Sequence, residues 1–328
     1  MHDEVQLRTR LEAELRTALL DEQFVLHYEP LVVPATGEPI GAEVLIRWRH
    51  PERGMISPAQ FIPVAEDTGL IVPIGSWVLR QACAQFVRWR REGLPLSVIS
   101  VNVSVRQFQR PDFVDEVREV LETTGMPTQG LKLELTESML MGDAATVEKA
   151  LDDLAAMGVS LALDDFGTGY SSLTYLKRLP VDTIKLDRSF VRDLLENGDA
   201  RELARSAIEM LHALRKIVVA EGVELPGQRA LLTRWGCDLL QGWLFTRSLA
   251  ADDFRAFMLR PPMAMMGPGE GSVALARQAQ SLEQALELLG ARKPDDQLAL
   301  TARTELDPDI GRERVGEPVL QALDVAIR

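Results

Sequence analysis

Cysteine and histidine are scarce in this 328-residue chain: two cysteines, Cys83 and Cys237, lie far apart, and the four histidines are His2, His27, His50 and His212. That supply excludes a disulfide scaffold and a thiolate zinc site, and a histidine-rich metal centre would lack ligands. Long hydrophobic runs are missing too. No apolar stretch approaches the roughly 18 residues of a membrane span, and no signal peptide opens the chain. Positive charge is short, with 36 Lys and Arg against 49 Asp and Glu and a net charge of −13. A nucleic-acid binder needs a basic stripe, so DNA is not an expected partner. The expected setting is a reducing, cytoplasmic one, away from a membrane. An anionic ligand would have to be held locally, by a few placed cations.

Aromatic residues are absent from one end. All 18 (ten Phe, five Trp, three Tyr) lie at or before Phe257. The segment beyond opens with Pro261, Pro262 and a Met/Gly/Pro stretch through Gly271, which is linker composition. One helix is expected after it, capped by Ser272, with Leu275, Ala279, Leu282, Leu286 and Leu289 on one face and Gly290 at its end. Residues 261–328 therefore read as linker and tail. At the other end Leu7, Leu11, Leu15 and Leu19 recur every four residues, so residues 1–20 read as an amphipathic helix or connector.

What is present lies between, over residues 21–260, in a chain that is 46% hydrophobic. Short apolar, β-rich runs cover Phe24–His27, Ile40–Ile46, Val98–Val103, Leu131–Leu135, Val159–Leu163, Thr183–Leu186, Ile217–Ala220 and Cys237–Leu240. Helical patterns separate most of them. Residues 111–123 carry Phe113, Val114, Val117, Val120 and Leu121 on one face, before Gly125. Asp143 can cap a helix that buries Val147, Leu151 and Leu154 and stops at Gly158. Leu203, Ala207, Ile208, Leu211 and Leu214 form a third stripe. Strand and crossover helix, repeated over about 240 residues, is the arithmetic of a (β/α)8 barrel. A doubly wound open sheet is the second reading, but no Gly-x-Gly-x-x-Gly follows the first strand.

Polar residues sit at the ends of those runs: Asn102, Glu134 and then Glu137, Asp164 with Asp165, Lys185, Glu221 and Gln241, while Glu43 stands among apolar neighbours. Taken singly, an acidic residue after a strand is usually a helix cap or a solvated loop residue, and a lone lysine usually snorkels. Seven strands that each end this way converge, in a barrel, on one mouth. Several carboxylates, a carboxamide and one lysine need divalent cations to stay ionised together, and an all-oxygen set selects hard ions: Mg²⁺, Mn²⁺ or Ca²⁺. Adjacent Asp164 and Asp165 can serve two ions, the arrangement that clamps the attacking and leaving oxygens of phosphoryl transfer. The glycine- and hydroxyl-rich loop that follows, 166–172, reads as an ordinary turn or as a lid.

At these residues the chain closely resembles the EAL domain, the cyclic-di-GMP phosphodiesterase family of bacterial signalling proteins. The ordered matches are Glu43-Val44-Leu45 leading into Arg47-Trp48-Arg49-His50-Pro51, Phe61-Ile62-Pro63 through Gly69-Leu70-Ile71, Val101-Asn102-Val103-Ser104 and Glu134-Leu135-Thr136-Glu137-Ser138. They continue with Asp164-Asp165-Phe166-Gly167-Thr168-Gly169-Tyr170-Ser171-Ser172, Ile184-Lys185-Leu186-Asp187, Ala220-Glu221-Gly222-Val223-Glu224 and Gln241-Gly242-Trp243. The resemblance covers about residues 16–258. It implies a modified TIM barrel, α/β, with an antiparallel first strand, and hydrolysis of cyclic-di-GMP to linear pGpG with two divalent cations, Mg²⁺ or Mn²⁺, Ca²⁺ being inhibitory.

The same resemblance implies the roles. Glu43, Asn102, Glu134 and Asp164 match the ligands of one cation, and Asp164, Asp165 and Glu221 those of the second. Lys185 matches the lysine that orients or activates the attacking water, with Glu43 and Glu221 beside it in catalysis. Glu137 matches the anchor of the lid loop Phe166, Gly167, Thr168, Gly169, Tyr170 and Ser171, which in the family also contributes to dimer coupling. Leu45 and Arg47 match groups lining the dinucleotide, Arg47 reaching a phosphate, while Glu224 and Gln241 match supporting and substrate-side positions. A homodimer is implied, and an upstream sensor or GGDEF domain fits the family's usual organisation. The departures are Val44 for alanine, Glu29 where a substrate-contacting glutamine is usual, Trp243 for tyrosine and Ser248 where proline commonly follows the arginine, here Arg247. None removes a metal ligand. A catalytically silent receptor is the alternative, although such members typically lose acidic ligands. A plain interaction module would rest on Glu29 alone.

Overall fold

The computed structural model describes residues 2–137, 139, 144–167 and 173–260. Eight strands close a ring: β1 (Phe24–Val32), β2 (Pro39–His50), β3 (Val98–Asn102), β4 (Leu131–Thr136), β5 (Ser160–Phe166), β6 (Thr183–Leu186), β7 (Ile217–Ala220) and β8 (Leu239–Leu240). From β2 to β8 each strand pairs in parallel with the next. β1 runs antiparallel to both β2 and β8 and closes the circle. Only residues 33–38 join β1 to β2, too short a link for the crossover that a parallel pair requires. The fold is the modified TIM barrel expected from the resemblance, with its first strand reversed.

Alternation within each strand positions the site. On β4, Leu131, Leu133 and Leu135 belong to the main core under the helices, which turns Lys132, Glu134 and Thr136 to the barrel axis. β3 repeats this with Ile99 and Val101 outward and Ser100 and Asn102 inward, as does β6 with Ile184 and Leu186 against Thr183 and Lys185. A separate apolar cluster of Leu31, Val33, Ile40, Val98, Ile217, Val219 and Leu239 comes from the N-terminal ends of the parallel strands and the far end of β1. One end of the barrel is thus plugged by hydrocarbon, and the polar residues collect toward the other.

Helices supply the outer layer. Phe113–Thr124 buries Phe113, Val117, Val120 and Leu121, and Ala144–Ala156 buries Val147, Leu151 and Leu154, as their spacing requires. The third stripe needs correction. In the helix Gly198–Ala213 the buried face is Ala204, Ala207, Ile208 and Leu211, whereas Leu203 is 60% exposed. At 100° per residue Leu203 falls about a quarter turn off that stripe. Two helices not singled out from sequence, Pro58–Thr68 and Ile71–Arg91, cover the β1–β2 side. Their starts are obscured by Pro63, Pro73 and Gly75, residues that usually interrupt helices. A Cβ on Gly75 would lie 2.1 Å from the Gln107 amide, so that side chain would have to shift.

Aromatic rings pin the antiparallel pair to these helices. Phe24 meets Trp48, Phe61 and Trp77 at 6.0, 5.8 and 6.1 Å between centroids, and Trp89 packs on Tyr28 at 4.6 Å and Phe254 at 5.1 Å. The N-terminal helix, His2–Leu20, buries Leu11, Leu15 and Ala18 in the same core. No helix among the described residues is long and apolar enough to cross a membrane. The expected Asp143 cap, the helix over 272–290 and the rest of 261–328 lie outside the described residues.

A half-buried pair ties the crossover helix between β6 and β7, Gly198–Ala213, to the sheet. His212 Nε2 lies 2.8 Å from Asp238 Oδ2, which also accepts the Val218 N–H at 2.8 Å. The hydrogen bond to Asp238, against the opposing effect of burial, raises the His212 pKa above its ordinary 6.5. The folded state therefore holds this proton more tightly, so the stabilisation is full below pH 6.5 and fades as pH rises through the folded value. The difference in thermal midpoint between the parent and His212→Ala should be larger at pH 5.5 than at pH 8.5. Equal differences at both pH values would contradict the pairing.

Candidate active site

Lys185 is the hub of the barrel mouth. Its Nζ lies 2.6 Å from Glu221 Oε1, 2.7 Å from Glu134 Oε2, 3.1 Å from Glu43 Oε2 and 3.3 Å from Asp164 Oδ1, and the residue is 1% exposed. These carboxylates come from β2, β4, β5 and the residue just after β7. Glu43 accepts two further bonds, each 2.7 Å long: Asn102 Nδ2 donates to Oε1 and Gln241 Nε2 to Oε2. Gln241 is buried, and its Oε1 has no hydrogen-bond partner among the described residues.

Backbone geometry sharpens the arrangement. Asp165 adopts φ 56°, a left-handed conformation that is uncommon for a residue with a Cβ and that marks functional turns. Its N–H donates to Asp164 Oδ1 at 3.0 Å. Gly167 follows at φ 98°, where a Cβ would lie 2.3 Å from the Phe190 ring, and its N–H donates to Glu137 Oε1 at 3.2 Å. The other oxygen of Glu137 is buried without a partner among the described residues. Thr168, Gly169, Tyr170 and Ser171 lie outside those residues. On the far side Gly242 has φ 147°, and a Cβ there would lie 2.3 Å from the Val223 nitrogen. That close approach accompanies the 3.0 Å bond from the Val223 N–H to the Gln241 carbonyl.

Charge is the governing quantity. Burial, then repulsion from Glu43 and Asp164 against the pull of Lys185, pushes Glu134 up to about 8. Burial likewise takes Glu221 up to about 7. Burial also opposes charge on Glu43, but Lys185, Gln241 and Asn102 outweigh it and hold that carboxyl below the usual range. Burial raises Asp165, with Asp164 and Asp187 adding to it. Burial works against the Lys185 charge, yet Glu134, Glu221, Glu43 and Asp164 keep its pKa well above the usual ammonium range. One permanent ammonium thus faces five carboxylates, more than it can neutralise.

That deficit fits hard cations. One oxygen each from Asp164, Asp165 and Glu221 lies within 4.8 Å of the others, and every donor offered is oxygen. The rim places Glu29, Leu45 and Arg47 beside this cluster. Glu29 stands directly across the β1–β2 ladder from Glu43, and burial followed by the Glu43 charge pushes it up to about 7. Glu224 is exposed, outside the group gathered on Lys185, its N–H donating to Gln228 Oε1 at 2.9 Å. Sequence reasoning gave no role to Ser248, which accepts a bond from Arg47.

The EAL domain family model matches residues 12–248. The chain belongs to the EAL family. It is 44% identical over 256 residues to MucR, a bifunctional diguanylate cyclase/cyclic di-GMP phosphodiesterase of Pseudomonas aeruginosa, over 78% of this chain and 37% of that protein. It is 43% identical over 249 residues to NbdA, a cyclic di-GMP phosphodiesterase of the same organism, over 76% of this chain and 32% of that protein. The chain spans about a third of the length of these relatives. Among solved structures it is similar to the PaMucR phosphodiesterase in complex with c-di-GMP, with TM-score 0.72 and 45% identity over 75% of this chain and 99% of that one. The EAL enzyme Bd1971, with cAMP and cyclic-di-GMP bound, matches with TM-score 0.73 and 32% identity over 78% and 70%.

The raised carboxyls of the EAL mouth carry a pH dependence of their own. A carboxyl whose folded pKa lies above its unfolded value stabilises the fold at low pH and loses that effect as pH rises through the folded value. In chelator, stability should therefore decline as pH rises through about 7 to 8, the values of Glu221 and Glu134. Glu134→Gln should flatten the decline, and Mn²⁺ should raise the parent's thermal midpoint more at pH 8 than at pH 5.5. A metal shift independent of pH would contradict this account.

Proposed function

We propose that this chain is a divalent-cation-dependent phosphodiesterase that hydrolyses cyclic-di-GMP to linear pGpG. The observation that carries the reading is the convergence of five carboxylates, one carboxamide and Lys185 at the mouth of an EAL barrel. The printed names of MucR and NbdA support the substrate, as does the c-di-GMP held in the PaMucR complex. Glu43, Asn102, Glu134 and Asp164 would hold one cation, and Asp164, Asp165 and Glu221 a second. Mg²⁺ or Mn²⁺ suits this oxygen set and, when bound, would neutralise the carboxylates and polarise the attacking water and the scissile phosphate.

The chain's own groups do the rest. Lys185 stays protonated and has no lone pair to accept a proton, so its part is to orient the water oxygen by donation and to offset the charge that develops on the phosphate. Carboxylate oxygens of Glu43 and Glu221 stand beside it as proton acceptors. The water oxygen bonds to phosphorus as the bond from phosphorus to a ribose oxygen breaks, which opens the ring. Arg47 offers a guanidinium to a phosphate, Leu45 an apolar wall, and Glu29 and Gln241 contacts to the dinucleotide, with Glu224 at the periphery. Glu137, which accepts the Gly167 N–H, would act at the start of the loop expected to serve as a lid. In this reading residues 21–260 form the phosphodiesterase domain of a cytoplasmic homodimer, fed by an upstream sensor or GGDEF domain.

Incubation with cyclic-di-GMP and Mg²⁺ or Mn²⁺, followed by chromatography for pGpG, tests the reading. EDTA should abolish product and added Mg²⁺ or Mn²⁺ restore it, whereas Ca²⁺ should support binding with little turnover. Glu43→Gln, Asp164→Asn and Glu221→Gln should each lower kcat by orders of magnitude with the fold retained. Full activity in chelator, or near-normal turnover of Asp164→Asn, would overturn it.

Glu29 generates a separate expectation. Above its pKa of about 7 Glu29 is ionised, so it can accept a hydrogen bond but cannot donate one, and it repels a dianionic dinucleotide. At pH 8.5 Glu29→Gln should therefore lower KM by roughly ten- to a hundredfold with little change in kcat, the worth of one mismatched hydrogen bond. Steady-state kinetics beside the parent would decide, and an unchanged or raised KM would retire the idea.

A further inference from the structure

Arg47 is held in a way that the catalytic cluster does not explain. It lies on β2 in the same alternating series as Glu43 and Leu45, so its side chain faces the mouth. Its cross-strand partner on β1 is Val25, and the next inward residue there is His27, opposite Leu45. Neither supplies a carboxylate to fix the guanidinium. The half-buried group instead makes two hydrogen bonds: Nη1 donates to the Ile46 carbonyl at 2.9 Å, and Nη2 donates to Ser248 Oγ at 2.8 Å. The first is to its own neighbour along the chain. The second crosses to a segment 201 residues away.

Ser248 is itself a fixed point. Its carbonyl lies 3.4 Å from His27 Nδ1, and the two residues after it pair with β1, Leu249 with Tyr28 and Ala250 with His27. On its other side the Arg247 guanidinium stacks on Trp243 at 3.9 Å from the ring centroid. The hydroxyl is therefore carried by backbone anchored to the barrel wall. A guanidinium has five N–H donors, so one spent on Ser248 leaves others for an anion while removing much of the side chain's rotational freedom. Pre-ordering of this kind raises affinity without touching the reacting atoms.

We propose that Ser248 is a positioning residue for the substrate: its Oγ pre-orients Arg47 toward a phosphate of the dinucleotide, so that it sets KM and leaves the chemical step alone. The inference rests on the phosphodiesterase reading through the role given to Arg47, and the test separates the two.

Ser248→Ala, Ser248→Thr, Arg47→Ala and the double variant Ser248→Ala/Arg47→Ala are compared with the parent. KM and kcat are measured with Mn²⁺, Kd for cyclic-di-GMP is measured by calorimetry with Ca²⁺, and thermal midpoints are recorded alongside. Ser248→Ala should raise KM and Kd by roughly three- to tenfold, the worth of one net hydrogen bond, with kcat within about twofold of the parent. Ser248→Thr, which keeps a hydroxyl, should restore parental KM. In the Arg47→Ala background, removing the hydroxyl should change KM no further. An unchanged KM in Ser248→Ala, or an equal rise with Arg47 already absent, overturns the proposal, as does a fall in kcat at constant KM. A parent that binds the dinucleotide but does not hydrolyse it defeats the phosphodiesterase reading alone, since Kd still reports on Ser248. A parent that does neither defeats both.

Discussion

The ammonium of Lys185 is the one positive charge on which the barrel mouth depends. Glu43, Glu134, Asp164 and Glu221 all lie within 3.3 Å of it, from four different places in the ring. Without a central cation these groups would repel one another or take up protons, because buried carboxylates are costly to ionise unpaired. With it they share a common focus, still short of neutrality. The arrangement is thus a compromise: enough positive charge to hold the oxygens in place, too little to satisfy them. That residual negative charge, carried on oxygen donors alone, suits the site to hard divalent cations.

The barrel makes this compromise possible by separating two tasks. Outward-facing leucine, isoleucine and valine on each strand bind the helices, while the alternate inward positions are free to be polar. Hydrocarbon from Leu31, Val33, Ile40, Val98, Ile217, Val219 and Leu239 fills one end of the interior, so no polar group is needed there to complete the packing. The antiparallel β1–β2 pair departs from the ring's repeat. It brings Glu29 opposite Glu43 and carries Arg47 out to the rim, where Ser248 meets it. The aromatic rings that clamp this pair, Phe24, Trp48, Phe61 and Trp77, fix it from outside without entering the site. Stability of the wall and charge in the mouth are thereby set by different residues.

Much of this was legible along the chain. The spans of β6 and β7, Thr183–Leu186 and Ile217–Ala220, match the apolar runs residue for residue, because short buried strands bounded by polar residues leave a clear local signal. The apolar run Phe24–His27 predicts a four-residue β1, which in fact extends to Val32, since the Pro30 within it looks like a stop. The run at Cys237–Leu240 contracts to Leu239–Leu240, with Asp238 bonded to the Val218 N–H from its side chain. Leu203 reads as part of the buried stripe but is 60% exposed, while Ala204, about a quarter turn away, is buried. Closure of the ring is implied by the count of strands and crossover helices, whereas the reversal of β1 is a long-range fact that no local pattern encodes and enters through the family resemblance. The gathering of Asn102 and Gln241 on Glu43, and of Arg47 on Ser248, depends on that closure, so sequence could name these residues without assigning their partners.

The most direct test of the central claim is a crystal structure of the chain with cyclic-di-GMP and Ca²⁺. The account predicts two cations, one held among Glu43, Asn102, Glu134 and Asp164 and one among Asp164, Asp165 and Glu221, with the charge that Lys185 leaves uncompensated now balanced. A bound dinucleotide with no cation in the mouth, and Lys185 still carrying all four carboxylates alone, would contradict it.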